Sequence, residues 1–230
     1  VSKIIILSDN KRGFSMKRVF ARWGAALMAA GLAFAVSGCG DDSATSPYGG
    51  AGGNVMTDSR DGQTYKTVKI GNQVWMAENL NYAMNGSLCY NNEQVYCNKY
   101  GRLYTWNDAI NACPDGWHLP NKDEFEGLRT LAGQTAEDIE KAGVVLKSKS
   151  GWAENGYGTD DFGFGALPAG DYDGIDEGLF DDEGKRTRFW SSTEESSGNG
   201  YYLRLRYNSD NASINSSDKR NGLSVRCVKD

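Results

Sequence analysis

Five cysteines constrain the fold of this chain more than any other feature. Cys39 ends an N-terminal apolar segment, and the others are Cys89, Cys97, Cys113 and Cys227. Four cysteines in an exported domain predict two disulfides, for which three pairings are open. A bridge from Cys89 to Cys97 would close a short hairpin, and the remaining pair would close a loop worth about 4–5 kcal/mol. The absence of a CxxC spacing disfavours zinc or thioredoxin-like chemistry.

Residues 1–38 have the pattern of an export signal. Lys17, Arg18 and Arg22 precede an apolar run that is shorter than the ~20 residues of a membrane-spanning helix. The run ends in the letters VSGC, which resemble a bacterial lipobox. We therefore expect cleavage before Cys39 and lipidation of that cysteine, the alternatives being an ordinary signal peptide or a short membrane anchor.

The residues around this signal add two expectations. Met16 would open a signal peptide of ordinary length, which makes residues 1–15 an over-extended gene start. Gly40, directly after the lipidation site, resembles the sorting pattern of outer-membrane lipoproteins. The acidic pair Asp41 and Asp42 resembles a surface-export tag. We expect a lipid-anchored protein of the outer membrane or cell surface.

Composition separates a tether from a domain and excludes one class of partner. Residues 39–55 are rich in glycine, serine and alanine and predict a flexible tether, and residues 56–230 are long enough for one core. The 230-residue chain carries a net charge of −5 and has a pI of about 5.1. Nucleic-acid binding needs clustered Lys and Arg, so the acidic balance argues against it. The membrane would be reached through the N-terminal lipid.

Hydrophobic periodicity predicts a hairpin followed by helices. TYKTVKI and QVWMAENL flank a Gly71-Asn72 turn, which indicates two paired strands. Helical spacing from Trp106 through Ala109 and Ile110 to Cys113 predicts a first helix. Asn121 and Glu124 form a capping box before a second helix, and a third helix is predicted over residues 136–142.

The C-terminal half predicts short strands among long loops. The strand candidates are TRFWSST, YYLRLRY and LSVRCV. The order is a hairpin, then helices, then strands, which is typical of an α+β fold and not of alternating βαβ units.

Several strings together resemble a known family. DGQTYKTVKIGNQVWMAENLNY, YGRLYTWNDAINACPDGWHLPNKDEFEGL, ALPAG, FWSSTE and GLSVRCVKD resemble, in this order, the Fibrobacter succinogenes major paralogous domain. That family is similar to the C-type lectin-like fold and to the formylglycine-generating, sulfatase-modifying fold. The resemblance implies small twisted antiparallel sheets, two main helices, long loops and an extracytoplasmic location. It also implies a Cys113–Cys227 disulfide, and the core-facing helical position of Cys113 points the same way.

An acidic segment at residues 171–183 is a candidate calcium site, because calcium takes carboxylate oxygens. Its candidate ligands do not fit an EF-hand, and the proline-containing loops of sugar-binding C-type lectins do not occur. A solvated acidic loop is the alternative, and calcium is the one cofactor considered. The candidate ligands are Asp171, Asp173, Asp176 and Glu177.

Tyrosines beside polar loops are candidates for ligand contact. Tyrosine offers a large contact area at low entropic cost and stacks on sugars. The polar segment 208–221 precedes the last strand and is expected to form a variable loop, with core packing and plain solvent exposure as the alternatives. The candidates are Tyr172, Tyr201, Tyr202, Tyr207, Asn208 and Asn211.

Catalytic readings have little support in the sequence. His118 is the one histidine of the chain, which excludes a mechanism that needs two, and a structural role is expected for it. Asp160 and Asp161 are adjacent, whereas glycoside hydrolysis needs carboxyls that face each other across a sugar. We expect a cell-envelope lipoprotein with a non-catalytic, lectin-like module that binds a glycan or a surface protein. The alternatives are an enzyme related to the formylglycine-generating fold and a structural envelope protein.

Overall fold

The computed structural model describes residues 54–175 and 178–230. The predicted signal, the Cys39 lipidation site and the tether up to residue 53 lie outside the described residues. Asp176 and Glu177 also lie outside them. Within the described part, the chain forms a mixed α/β fold with curled antiparallel sheets, few helices and two disulfides. The α+β prediction is confirmed at this level.

Twelve strands are found in the described residues. They are β1 Asn54–Thr57, β2 Thr64–Ile70, β3 Gln73–Met76, β4 Leu103–Tyr104, β5 Trp117–His118, β6 Ala169–Asp173, β7 Leu179–Glu183, β8 Arg186–Glu194, β9 Asn199–Arg206, β10 Ser213–Asp218, β11 Leu223–Ser224 and β12 Val228–Lys229.

Four α-helices accompany these strands in the same residues. They are α1 Gln94–Tyr100, α2 Trp106–Ala109, α3 Lys122–Thr135 and α4 Ala142–Leu146. Three short 3-10 turns cover Tyr90–Asn92, Ile139–Lys141 and Ala153–Asn155.

The first sheet of the described region has the strand order β1-β2-β3-β12-β5. β2 and β3 form the predicted hairpin, with Val68 opposite Trp75 and the turn at Gly71. Gly71 adopts a positive φ of 59°, a conformation that suits glycine in a tight turn. The C-terminal β12 lies between β3 and β5 and so fastens the end of the chain into this sheet.

The second sheet has the order β10-β9-β8-β11-β4, and a β6–β7 hairpin joins it through β6 and β8. The long β8–β9 hairpin confirms the strands predicted from TRFWSST and YYLRLRY. The polar segment at residues 208–221 contains β10, which pairs with β9, so the expectation of a continuous variable loop there is wrong. β10 has the sequence SINSSD with Ile214 as its one apolar residue, so it lacks the alternation of apolar and polar residues that marks a strand.

The two sheets are joined through the segment that was predicted as one strand, LSVRCV. β11 belongs to the second sheet and β12 to the first, so the chain crosses between sheets at Val225, Arg226 and Cys227. All three crossing residues are buried. This crossover explains why a run of apolar residues forms two short strands.

The helices differ from the predicted ones in length and position. The capping box of α3 is present in full, with the side chain of each partner accepting the backbone N–H of the other. α2 ends at Ala109, and Ile110 is 37% exposed, so the predicted continuous helix to Cys113 is wrong. α4 begins at Ala142, the last residue of the predicted range 136–142, and α1 was not predicted.

Both disulfides connect segments that the backbone brings close. Cys113 bonds Cys227 across 114 residues, with a Cα–Cα distance of 5.8 Å. Cys89 bonds Cys97 across 8 residues at 4.9 Å, and this bridge spans a 3-10 turn and α1 instead of the predicted hairpin. The first fastens the sheet crossover, and the second fastens α1.

Two clusters of buried side chains fill the described fold. One packs α3 and α4 on the first sheet and on β8 and β9, and it includes Trp75, Phe125 and Phe189. The other contains Tyr104 and Trp190 and surrounds the crossover disulfide. Among residues 54–175 and 178–230, no helix has the length and apolar character needed to cross a membrane.

Candidate ligand-binding site

A cleft of about 250 Å³ opens between the first sheet and α1. Its walls come from the start of β2, the segment after β3, the end of α1 and the loop before β6. Its lining is polar, because amide, phenol and guanidinium groups outnumber apolar ones. The residues that matter most are Gln63, Tyr65, Asn79, Asn81, Tyr100 and Arg226.

The floor of the cleft is a buried arginine. Arg226 is 1% exposed, and its Nε donates to the Asn79 Oδ1 at 2.9 Å. Its remaining hydrogen-bond acceptors are the carbonyl oxygens of Met76, Phe164 and Gly165. Burial lowers the pKa of Arg226 to about 9, so the guanidinium remains charged at neutral pH.

One wall of the cleft is a pair of asparagines with a tyrosine. The Asn79 Nδ2 donates to the Tyr100 carbonyl at 2.8 Å, which ties the segment after β3 to α1. The Asn81 N–H donates to the Tyr65 hydroxyl, and its Nδ2 donates to the Gln63 Oε1 at 3.1 Å. The Asn81 Oδ1 is buried and has no hydrogen-bond partner among the described residues. Such an acceptor calls for a donor, because a buried polar atom without a partner costs free energy.

The other wall is the end of α1, which the Cys89–Cys97 disulfide holds in place. The Tyr100 hydroxyl donates to the Glu183 Oε1 at 2.5 Å, and the Lys99 ammonium lies 3.3 Å from the same oxygen. Burial and the bond to Glu183 raise the pKa of Tyr100 to about 12. The phenol therefore stays protonated and links α1 to β7.

Five aromatic rings form a continuous row from this wall to the β6–β7 hairpin. Centroid distances along the row are 6.4, 5.2, 5.3 and 5.0 Å, all within the range of favourable ring contacts. Tyr90 and Tyr100 are buried, whereas the other three rings are partly exposed. We call this set the aromatic row; in order it is Tyr100, Tyr96, Tyr90, Phe180 and Tyr172.

The structure separates the tyrosines that the sequence grouped as ligand contacts. Tyr172 belongs to the aromatic row. Tyr202 is 6% exposed and packs against Trp190, so it is too buried to contact a ligand. Tyr201 lies on β9 beneath the Lys122 ammonium, and Tyr207 packs partly buried against the core.

The two candidate asparagines lie at the far end of β9. Asn208 is exposed there, and the Asn211 Nδ2 donates to the Glu140 Oε2 at 2.7 Å. Neither they nor Tyr201 and Tyr207 line the cleft. None of the six candidates lines the cleft, and Tyr172 is the last ring of the aromatic row counted from Tyr100 in the cleft wall.

The predicted calcium ligands do not form a site in the described residues. Asp171 is 1% exposed, and its two oxygens accept four N–H bonds of 2.5–3.0 Å from Arg186 and Arg188. Asp171 therefore cannot serve as the predicted ligand. The Asp173 Oδ1 accepts the Ile175 N–H, and the other two candidates lie outside the described residues. No group of three metal-ligating side chains occurs in the described part of the chain.

His118 lies on β5 between two carboxylates. Its Nδ1 is 2.7 Å from the Asp230 Oδ1, and its Nε2 is 3.0 Å from the Glu124 Oε1. Burial opposes the charged ring, but the two carboxylates outweigh it and raise the pKa of His118. A ring with carboxylates on both nitrogens holds its protons and joins β5, α3 and the C-terminus, which is a structural task.

The adjacent carboxyls Asp160 and Asp161 are engaged within their own loop. Burial raises the pKa of Asp160, whose Oδ1 accepts the Gly165 N–H at 2.6 Å. The Asp161 Oδ2 accepts the Thr159 hydroxyl at 2.7 Å. These bonds shape the loop below the cleft.

Sequence reasoning missed the cleft residues. Asn79 and Asn81 follow the predicted hairpin in the string MAENLNY, which gives no sign of a binding role. Arg226 interrupts the mainly apolar strand candidate LSVRCV. A charged residue inside an apolar run was the available signal, because such a residue is buried only when the fold supplies partners.

A sequence profile of the Fibrobacter succinogenes major domain family matches residues 68–229. No match to the chain was found among curated proteins or among solved structures.

Proposed function

We propose that this chain, which belongs to the Fibrobacter succinogenes major domain family, is a non-catalytic glycan-binding module displayed on the cell envelope. The observation that carries the proposal is the polar cleft continued by the aromatic row. Glycans present hydroxyl groups and apolar ring faces side by side. A surface with amide acceptors beside aromatic rings matches both.

The cleft suits one sugar ring. Its volume of about 250 Å³ is below the roughly 300–1,000 Å³ of sites for drug-sized ligands, so a longer chain must extend beyond it. The Asn81 Oδ1, which has no partner among the described residues, would accept a sugar hydroxyl, and the Tyr65 hydroxyl lines the cleft beside it. The Gln63 Nε2 already donates to Asp61 and to the Asn81 carbonyl, so Gln63 holds this wall in place. The preformed hydrogen bonds of this wall reduce the entropy lost on binding.

The aromatic row provides the continuation. Tyr96 is partly exposed and stacks almost parallel to Tyr100 of the cleft wall, with an interplanar angle of 9°. Val95 on α1 and Leu179 on β7 are 60% and 61% exposed. This apolar rim beside partly exposed rings suits the hydrophobic faces of successive sugars.

The proposal includes a C-type lectin-like fold and a lipid anchor at Cys39. Two mainly antiparallel sheets, a C-terminal strand in the first sheet and the Cys113–Cys227 bridge support that fold assignment. The basic and apolar N-terminal pattern supports the anchor. A tether between lipid and domain would let the cleft face a polysaccharide.

The test is retention of the exported protein on a panel of plant and cell-wall polysaccharides, with and without calcium. Tyr96→Ala is the informative variant, because it removes a partly exposed ring of the row. Loss of one aromatic contact should weaken retention about threefold to tenfold. Tyr157→Ala is the matched control, since Tyr157 is 51% exposed and lies outside the row.

Three results would contradict the proposal. These are no retention on any glycan, equal loss in both tyrosine variants, and selective capture of one envelope protein, which indicates a protein ligand instead. The anchor has its own test, because Cys39→Ser should abolish incorporation of a labelled fatty acid. Unchanged labelling would place the lipid elsewhere.

A further inference from the structure

The buried charge of Arg226 has no carboxylate in contact with it among the described residues. Each of its acceptors is an amide or carbonyl oxygen, and the rings of Phe164 and Phe189 lie 4.3 and 5.3 Å from its guanidinium carbon. Asp160 and Glu78 act on it only as more distant charges. A buried charge is usually paired, because its desolvation is otherwise poorly offset.

Arg226 also has one N–H donor left for a ligand. A guanidinium has five N–H donors, and four acceptors are assigned to them. Nη2 has one acceptor, the Gly165 carbonyl at 3.1 Å, and both residues line the cleft. An anion in the cleft would therefore meet an available donor and a positive charge with which no carboxylate of the described residues is in contact.

The other charged groups of the cleft are already paired. Glu78 accepts the Lys66 N–H at 2.8 Å, and its other oxygen lies 3.6 Å from the Lys66 ammonium. Lys99 at the rim pairs with Glu183, and its side chain is 54% exposed. Arg226 is the remaining charged residue of the lining, and its hydrogen-bond acceptors are all neutral.

We infer that the sugar bound in the cleft carries a carboxylate, that is, a uronic acid residue whose carboxylate accepts from Arg226. The inference rests on the proposed glycan-binding function and names its substrate class. A carboxylate matches the planar fork of a guanidinium, and charge-assisted bonds are about twice as strong as neutral ones. Neutral hydroxyls of the same ring would bind the Asn81 amide oxygen and the Tyr65 hydroxyl.

The test compares matched acidic and neutral ligands on the unaltered protein, so it does not depend on a variant that must fold. The probes are short oligogalacturonides, glucuronic-acid-substituted xylan oligosaccharides, and the methyl ester of each. Calorimetric titration should show roughly tenfold tighter binding of at least one acid than of its ester. High salt should reduce the ratio of acid to ester affinity only slightly, because salt screens a buried charge less than an exposed one.

A charge placed at the rim provides an independent readout. Asn98 is exposed and lines the cleft, so Asn98→Asp should lower the ratio of acid to ester affinity about threefold to tenfold through repulsion. Asn107→Asp makes the same charge change on the exposed side of α2, outside the cleft lining, and should leave the ratio unchanged.

The outcomes separate this inference from the proposed function. Equal binding of acids and esters would overturn the uronate inference and leave glycan binding standing. If neither acids nor esters bind but a neutral polysaccharide retains the protein, the uronate inference is again overturned and glycan binding again stands. Failure of every glycan to bind would overturn both, and an acid preference that Asn98→Asp does not change would place the carboxylate outside this cleft.

Discussion

Removing the long disulfide should destabilise the protein far more than removing the short one. In the loop-entropy model, the cost grows with the number of residues that the bridge encloses. The Cys113–Cys227 bridge spans 114 residues, which gives about 5 kcal/mol at 25 °C. The Cys89–Cys97 bridge spans 8 residues, which gives about 2.5 kcal/mol.

The location of the long bridge adds to this difference. Cys227 is fully buried at the sheet crossover, between Val225 and Val228, so the loss of its sulfur also leaves unfilled core volume. For a domain of this size, 1 kcal/mol corresponds to about 2–4 °C in Tm. We expect a loss of about 10–20 °C without the long bridge and about 5–10 °C without the short one.

The assay is calorimetric unfolding of the exported protein in two double variants. One carries Cys113→Ala with Cys227→Ala, and the other carries Cys89→Ala with Cys97→Ala, so that no unpaired thiol is left from the broken bridge. An equal or larger loss of Tm in the short-bridge variant would show that loop length and burial at the crossover do not determine what each bridge contributes to stability.

Two further predictions concern ionised groups. Asp171→Asn should lower the free energy of unfolding by about 3–5 kcal/mol, because the largely buried Arg186 and Arg188 lose the carboxylate that they share. The control is Asp181→Asn, an exposed position in the same hairpin, which should change the free energy of unfolding little. Urea unfolding measures both variants, and similar losses would contradict a stabilising role for the pairing of Asp171 with the two arginines. The raised pKa of His118 predicts that its stabilising contribution is full below its usual value of 6.5 and is lost as pH rises through the folded value. The gap in unfolding free energy between the protein and His118→Gln should therefore shrink on going from acid to alkaline pH, and a constant gap would contradict the carboxylate pairing.

Local signals in the sequence predicted the elements that depend on local chemistry. The Gly71 turn with alternating strands and the capping box of Asn121 and Glu124 both appear as expected. These features are set by neighbours within a few residues, so periodicity and turn chemistry are sufficient to find them.

The errors came where contacts distant in sequence decide the structure. α2 stops at Ala109 because the chain must turn to bring Cys113 to the sheet crossover. β10 consists mainly of polar residues, and its pairing with β9 gives it a strand conformation that its composition does not predict. Tertiary context overrides local propensity in both cases.

The candidate site depends even more on long-range contacts. Asn79 meets Arg226 from a position 147 residues away, and the aromatic row combines rings from α1 with rings from the β6–β7 hairpin. The acidic sequence around Asp171 predicted a calcium site, yet the fold pairs this carboxylate with two arginines of β8. Residue type alone could not distinguish a structural carboxylate from a ligand.

The most direct test of glycan binding at the cleft is a hydrogen-exchange footprint of the exported protein with and without each polysaccharide of the panel. We expect slower exchange in residues 63–65, 77–81 and 94–101 and in the β6–β7 hairpin. Protection confined to β9, β10 and residues 207–211, where Tyr201 and Asn208 lie, would contradict the placement of the site. Unchanged exchange with every polysaccharide would contradict the glycan-binding account itself.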